Sequence, residues 1–209
     1  ISAVNSGELA AEAVAVSLAA QSAALAENAD PGPALARMFE AANADIGAAV
    51  AADGRPELTT SAGCPSATLA AALVTPGAAA VANLGDSRVY LLRAGLLDQL
   101  TIDGDEGTRH LVAGADADAA LDRDDAKELV GWVGRFEAAG GTPPRVDPRR
   151  PVAVTAGPGF SALAFRPQAG DVYCCCSDGV SDYADFGVID LAAVLAALPP
   201  AEACRRLVA

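Results

Sequence analysis

Two short stretches of this chain place carboxylates where an apolar run gives way to a turn. The first is Asn83-Leu84-Gly85-Asp86-Ser87-Arg88, set between two apolar runs. Gly85 and Asp86 are expected in a tight turn, with the Asp86 carboxylate at a strand end facing a cleft. The second is Ser177-Asp178-Gly179-Val180-Ser181-Asp182, directly after the apolar run 172–176. Asp178 and Asp182 are four residues apart, so a helical turn starting there sets both on one face. Carboxylate oxygens gathered in this way suit hard divalent cations. Each stretch also has a plainer reading. A turn Asp bonds its neighbouring backbone, and Ser177 or Asp178 at a helix start caps that helix.

The elements that must position these residues follow from periodicity. Residues 7–26 read as a helix, with Leu9, Ala13, Val16 and Ala20 at helical spacing. Asp30-Pro31-Gly32-Pro33 is a break. A second helix then runs to about residue 52, with Leu35, Phe39, Ala42, Ile46 and Val50 as its apolar stripe. Short apolar runs at 66–74, 78–84, 88–93 and 96–100 read as an antiparallel meander. Residues 103–150 are polar and rich in Gly and Pro, with a helix expected at 122–138. Strands are expected at 152–155, 160–165 and 171–176. Two closing helices are expected at about 188–198 and from Pro200 to near residue 208. The order of helices, strands and helices predicts one layered α+β domain.

Composition narrows the function classes. The chain has 209 residues, of which 52% are hydrophobic, enough to bury one sizeable core. The formal net charge is −13, which argues against nucleic-acid binding and against adsorption to anionic membranes. The run 10–26 is interrupted by Glu12, Ser17, Gln21 and Ser22, so a buried helix explains it better than a membrane span. No signal peptide is expected, because the opening residues show no basic n-region or cleavage pattern. Cys64, Cys174, Cys175, Cys176 and Cys204 lack any CxxC spacing. They are expected as reduced, core-packing residues of a cytoplasmic protein. His110, the acidic run Asp116–Asp125 and the arginines Arg145, Arg149 and Arg150 are expected at the surface, and Trp132 in packing.

Taken together, the two stretches resemble the signatures of the PP2C (PPM) family of metal-dependent protein serine/threonine phosphatases. VANLGDSRVY at 81–90 resembles the family's central motif. Gln99-Leu100-Thr101 is similar to the start of its QLT-x-DH segment, and SDGVSDY at 177–183 resembles its SDG-[LI]-x-D motif, after the pair Gly170-Asp171. Ser66-Ala67-Thr68 matches the strand before the first motif, and residues 5–15 resemble the first long helix.

The resemblance implies a β-sandwich of two antiparallel sheets flanked by helical layers, four layers in all. It implies two or three Mn²⁺ or Mg²⁺ ions that activate a water to attack phosphorus. It assigns Asp178 to the catalytic metal pair, and Asp86 and Asp182 to a third, weaker metal. The implied partners are proteins carrying phosphoserine or phosphothreonine, with Ser/Thr kinases acting in opposition. The alternative is an inactive member that binds phosphoproteins or regulators.

The sequence departs from the family pattern in three places. The family's DGMGG loop is missing, because Ile1-Ser2-Ala3-Val4 passes straight into Asn5-Ser6-Gly7-Glu8. The C-terminal Gly-x-Asp-Asn segment is missing as well, and Gly104 stands where the family has the His of QLT-x-DH. The expectation is a single PP2C-like domain over residues 1–209 without that loop and segment. Either catalysis has been lost, or residues are omitted between Val4 and Asn5.

Overall fold

A computed structural model describes residues 6–25, 29–55, 58, 65–105, 116, 153–157 and 160–208. Helix α1 spans Ser6–Ala23 and α2 spans Pro31–Asp53. The Pro-rich segment read as a break is also the start of α2. Asp30 is the N-cap, and its Oδ1 accepts from the Gly32 N–H at 3.2 Å. Proline is tolerated in the first turn because its missing N–H has no helical partner there. Gly54 closes α2 at φ 74°, a left-handed conformation that glycine adopts without a Cβ clash.

Among the described residues seven strands follow: β1 Leu69–Val74, β2 Ala79–Leu84, β3 Arg88–Arg93, β4 Leu96–Gln99, β5 Ala153–Gly157, β6 Phe160–Phe165 and β7 Val172–Cys176. Three helices close the described chain: α3 Asp178–Asp185, α4 Leu191–Ala197 and α5 Pro200–Leu207. The expected helix at 122–138 lies outside the described residues, as do Cys64, His110, Trp132, Arg145, Arg149 and Arg150.

The strands form two antiparallel sheets, one in the order β1-β2-β6-β5 and the other in the order β4-β3-β7. The expected simple meander is therefore corrected. β1–β2 and β3–β4 are hairpins, but between β2 and β3 the chain crosses from one sheet to the other. The physical cause is burial on both faces. Ala80, Ala82 and Leu84 join a cluster with α1 and α2, including Val14, Leu35, Phe39 and Ile46. On β3, Tyr90 and Leu92 join Val180, Leu191, Leu195 and Ala203 of α3, α4 and α5. Val81, Val89 and Leu91 lie on the opposite strand faces and are also buried. Side chains alternate across a strand, so helices cover the outer faces and the sheets cover each other. The fold is a four-layer α+β sandwich, as the resemblance implied.

Cys174 and Cys176 pack against the second cluster, as expected for core cysteines. Cys175 and Cys204 are exposed, which corrects the expectation for those two. Among the described residues, no helix is long and apolar enough to cross a membrane.

Candidate active site

The crossover between the sheets is built by Asn83. This residue is buried, and its Nδ2 donates to the carbonyls of Gly85 at 3.1 Å, Ser87 at 3.2 Å and Ile102 at 2.8 Å. One amide thus ties the turn to the segment that follows β4. Gly85 takes φ 80°, which favours glycine. A second bond runs from the Gly104 N–H to the Gly85 carbonyl at 2.8 Å. A Cβ on Gly104 would lie 3.2 Å from that same oxygen. The glycine at this position therefore lets the 101–105 segment lie directly on the turn. Thr101 Oγ1 accepts from the Val89 N–H at 2.9 Å, and the Thr68 and Ser87 hydroxyls bond at 2.8 Å, fastening β1 to the same turn.

Arg88 opens β3 and is buried. Its Nε donates to Asp103 Oδ1 at 2.8 Å, and its Nη2 to Asp103 Oδ2 at 2.6 Å. Its Nη1 donates to Asp185 Oδ2 at 2.7 Å and to the Tyr90 hydroxyl at 3.1 Å. The bond to Asp103 raises the guanidinium pKa far above its ordinary value, over the opposing effect of burial, so the charge is permanent. Burial pushes the Tyr90 hydroxyl up, so it stays neutral. Removing one partner of a buried ion pair such as Arg88–Asp103 costs about 3–5 kcal/mol, because the other charge is left stranded.

The second stretch begins where β7 ends. Ser177 occupies the N-cap position of α3 with extended backbone but makes no side-chain capping bond. Asp178 Oδ1 accepts from the Gly179 N–H at 2.7 Å. The side chains of Asp178 and Asp182 lie one helical turn apart on α3, on one face as the spacing predicted. Asp178 is exposed, whereas Asp86 and Asp182 are half-buried.

Strand register relates the two stretches. β3 and β7 are antiparallel, and Arg88↔Cys176 is the pair at one end of their ladder. Asp86 lies two residues before Arg88, and Asp178 two residues after Cys176. Both turns therefore emerge at the same end of the same strand pair. The α3 helix, carrying Asp182, starts from that end.

Among the described residues, no group of three or more His, Cys, Asp or Glu side chains is placed to hold a metal ion. The described residues by themselves thus do not fit a two-ion or three-ion centre. The structural roles of Asn83, Arg88, Asp103 and Asp185 were not read from the sequence. Asn83 and Arg88 stood inside the first stretch, and Asp103 just after Gln99-Leu100-Thr101, so position was their only signal. Asp185 had none.

The chain has the fold of bacterial serine/threonine phosphatases, one of them described as a PPM phosphatase. The Mycobacterium tuberculosis serine/threonine phosphatase PstP/Ppp superposes with a TM-score of 0.69 at 24% identity, over 97% of this chain and 74% of that one. The catalytic domain of PstP in complex with two manganese ions gives 0.68 at 23% identity, over 96% and 73%. The Staphylococcus aureus serine/threonine phosphatase Stp1 gives 0.64 at 19% identity, over 96% and 70%. No family model and no curated protein sequence matches the chain.

Proposed function

We propose that this chain is a single PP2C-type protein serine/threonine phosphatase domain. It acts in the cytoplasm, where it removes phosphate from phosphoserine and phosphothreonine in proteins and opposes Ser/Thr kinases. What supports this reading is that the Gly85–Asp86 turn and the Asp178 start of α3 leave the β3–β7 pair at the same end, on a fold shared with serine/threonine phosphatases. The manganese pair of PstP supports a dependence on Mn²⁺ or Mg²⁺. Asp178, Asp86 and Asp182 are the carboxylates this reading assigns to such ions, and donors beyond the described residues would have to complete the centre. Oxygen donors would suit these ions rather than zinc.

A second reading is a non-catalytic module that binds phosphoproteins or regulators. The lack of a three-ligand group among the described residues favours it.

The test is phosphate release from a phosphoserine peptide, with and without Mn²⁺, by the protein and by Asp178→Ala. The phosphatase reading expects release only with Mn²⁺, and a loss of about a hundredfold in the variant. Asp178 is exposed and accepts one backbone N–H at the start of α3, so its removal costs about 1 kcal/mol, too little to unfold the domain. Absence of turnover with peptide binding intact overturns catalysis in favour of the second reading. Absence of both overturns the two together.

A further inference from the structure

α3 has eight residues, a length at which a helix depends on tertiary contacts for its orientation. Only Val180 and Ser181 of it are buried. Its N-terminus is fixed by continuity with β7. Its C-terminal residue, Asp185, is fastened across the chain to Arg88 at 2.7 Å, although the Asp185 side chain is 53% exposed. Arg88 in turn is held by Asp103, whose side chain is 9% exposed. The segment that carries Asp103 lies on the Gly85 turn through the Gly104 N–H. The covalent connection to β7, the burial of Val180 and Ser181, and this ion pair at the far end together set how α3 is rotated about its axis. That rotation decides where Asp178 and Asp182 point relative to the turn of Asp86.

We propose that Asp185 is a positioning residue for the candidate active site. Through Arg88, it locks the face of α3 that bears Asp178 and Asp182 to the Gly85–Asp86 turn. The role itself deepens the phosphatase reading and rests on it for its catalytic consequence. The mechanical part stands on the Arg88 contacts alone. Because Asp185 is half in solvent, its substitution is compatible with an intact fold.

The test compares Asp185→Ala and Asp185→Glu with Asp171→Asn, which removes the acid of an Arg–Asp pair at the other end of β3. Amide exchange by mass spectrometry is followed across 177–187, and kcat and KM are measured on a phosphoserine peptide. Asp185→Ala is expected to speed exchange in α3 about threefold to tenfold and to lower kcat by a similar factor with KM unchanged. Asp185→Glu is expected to restore both, and Asp171→Asn to leave both at the level of the unmodified protein. Unchanged exchange in Asp185→Ala, or equal changes in Asp171→Asn, overturns the proposal. So does a fall in activity that Asp185→Glu does not rescue or that lies wholly in KM. If the unmodified protein has no turnover, the phosphatase reading fails, and the exchange comparison still decides whether Asp185 orients α3.

Discussion

Strand β3 carries an arginine at each end, and each is paired with an aspartate, yet the two ends are built differently. At the far end, Arg93 Nε and Nη2 grip Asp171 at 2.8 and 2.6 Å. The Asp171 carboxylate also accepts from the Gln168 N–H at 2.8 Å and the Tyr173 hydroxyl at 3.1 Å. The Arg93 guanidinium lies 5.8 Å from the centre of the Phe165 ring, where cation–π attraction adds to the pair. The Arg93–Asp171 charges there are met by each other and by adjoining groups. At the near end, Arg88 divides its donors among Asp103, Tyr90 and Asp185, and so joins three separate segments. Past it, Asp178 stands exposed. The difference is between a local fastening and a junction. One end of the strand satisfies its charges locally, and the other uses a buried cation to join the segments next to Asp86 and Asp178.

The comparison can be broken most forcefully at Asn83. Replacing it with Ala removes the amide donor from the Ser87 and Ile102 carbonyls at the near end, while Gly85 keeps the Gly104 N–H, and should lower unfolding free energy by about 2 kcal/mol. Urea denaturation measures this, and a change below about 1 kcal/mol would mean that the crossover does not depend on the amide.

The far end should respond less, and with a particular pH signature. The Arg93 guanidinium bonded to Asp171 holds its carboxyl down to about 2, from an ordinary 3.8. Asp171 therefore contributes stability that is full above about pH 4 and is lost as pH falls toward 2. Asp171→Asn should cost about 1–2 kcal/mol at neutral pH, and the difference from the unmodified protein should shrink across that acid window. A difference that persisted at the acid limit would show that the carboxylate charge is not what stabilises this end.

Much of this was legible in the letters, for physical reasons that differ by region. The continuous apolar runs of β2 and β3 marked buried strands, and the spacing of Asp178 and Asp182 marked one helical face. The crossover at Gly85 was not legible. Hydrophobic alternation reports which sheet face is buried, and strands buried on both faces carry no alternation. The bond between Arg88 and Asp185 joins residues 97 positions apart, and no local pattern encodes such a pairing. Asp30-Pro31-Gly32-Pro33 was read as a break because proline interrupts helices. In the structure it begins one, because a first-turn proline gives up no helical bond.

In the phosphatase reading, the turn at Asp86 and the start of α3 at Asp178 face one cation-binding space. Paramagnetic broadening of amide NMR signals by substoichiometric Mn²⁺ tests this. Signals of 85–87 and of 177–182 are expected to broaden together while those around Arg93 and Asp171 stay sharp. Broadening confined to one of the two turns, or spread equally to both ends of β3, would contradict it.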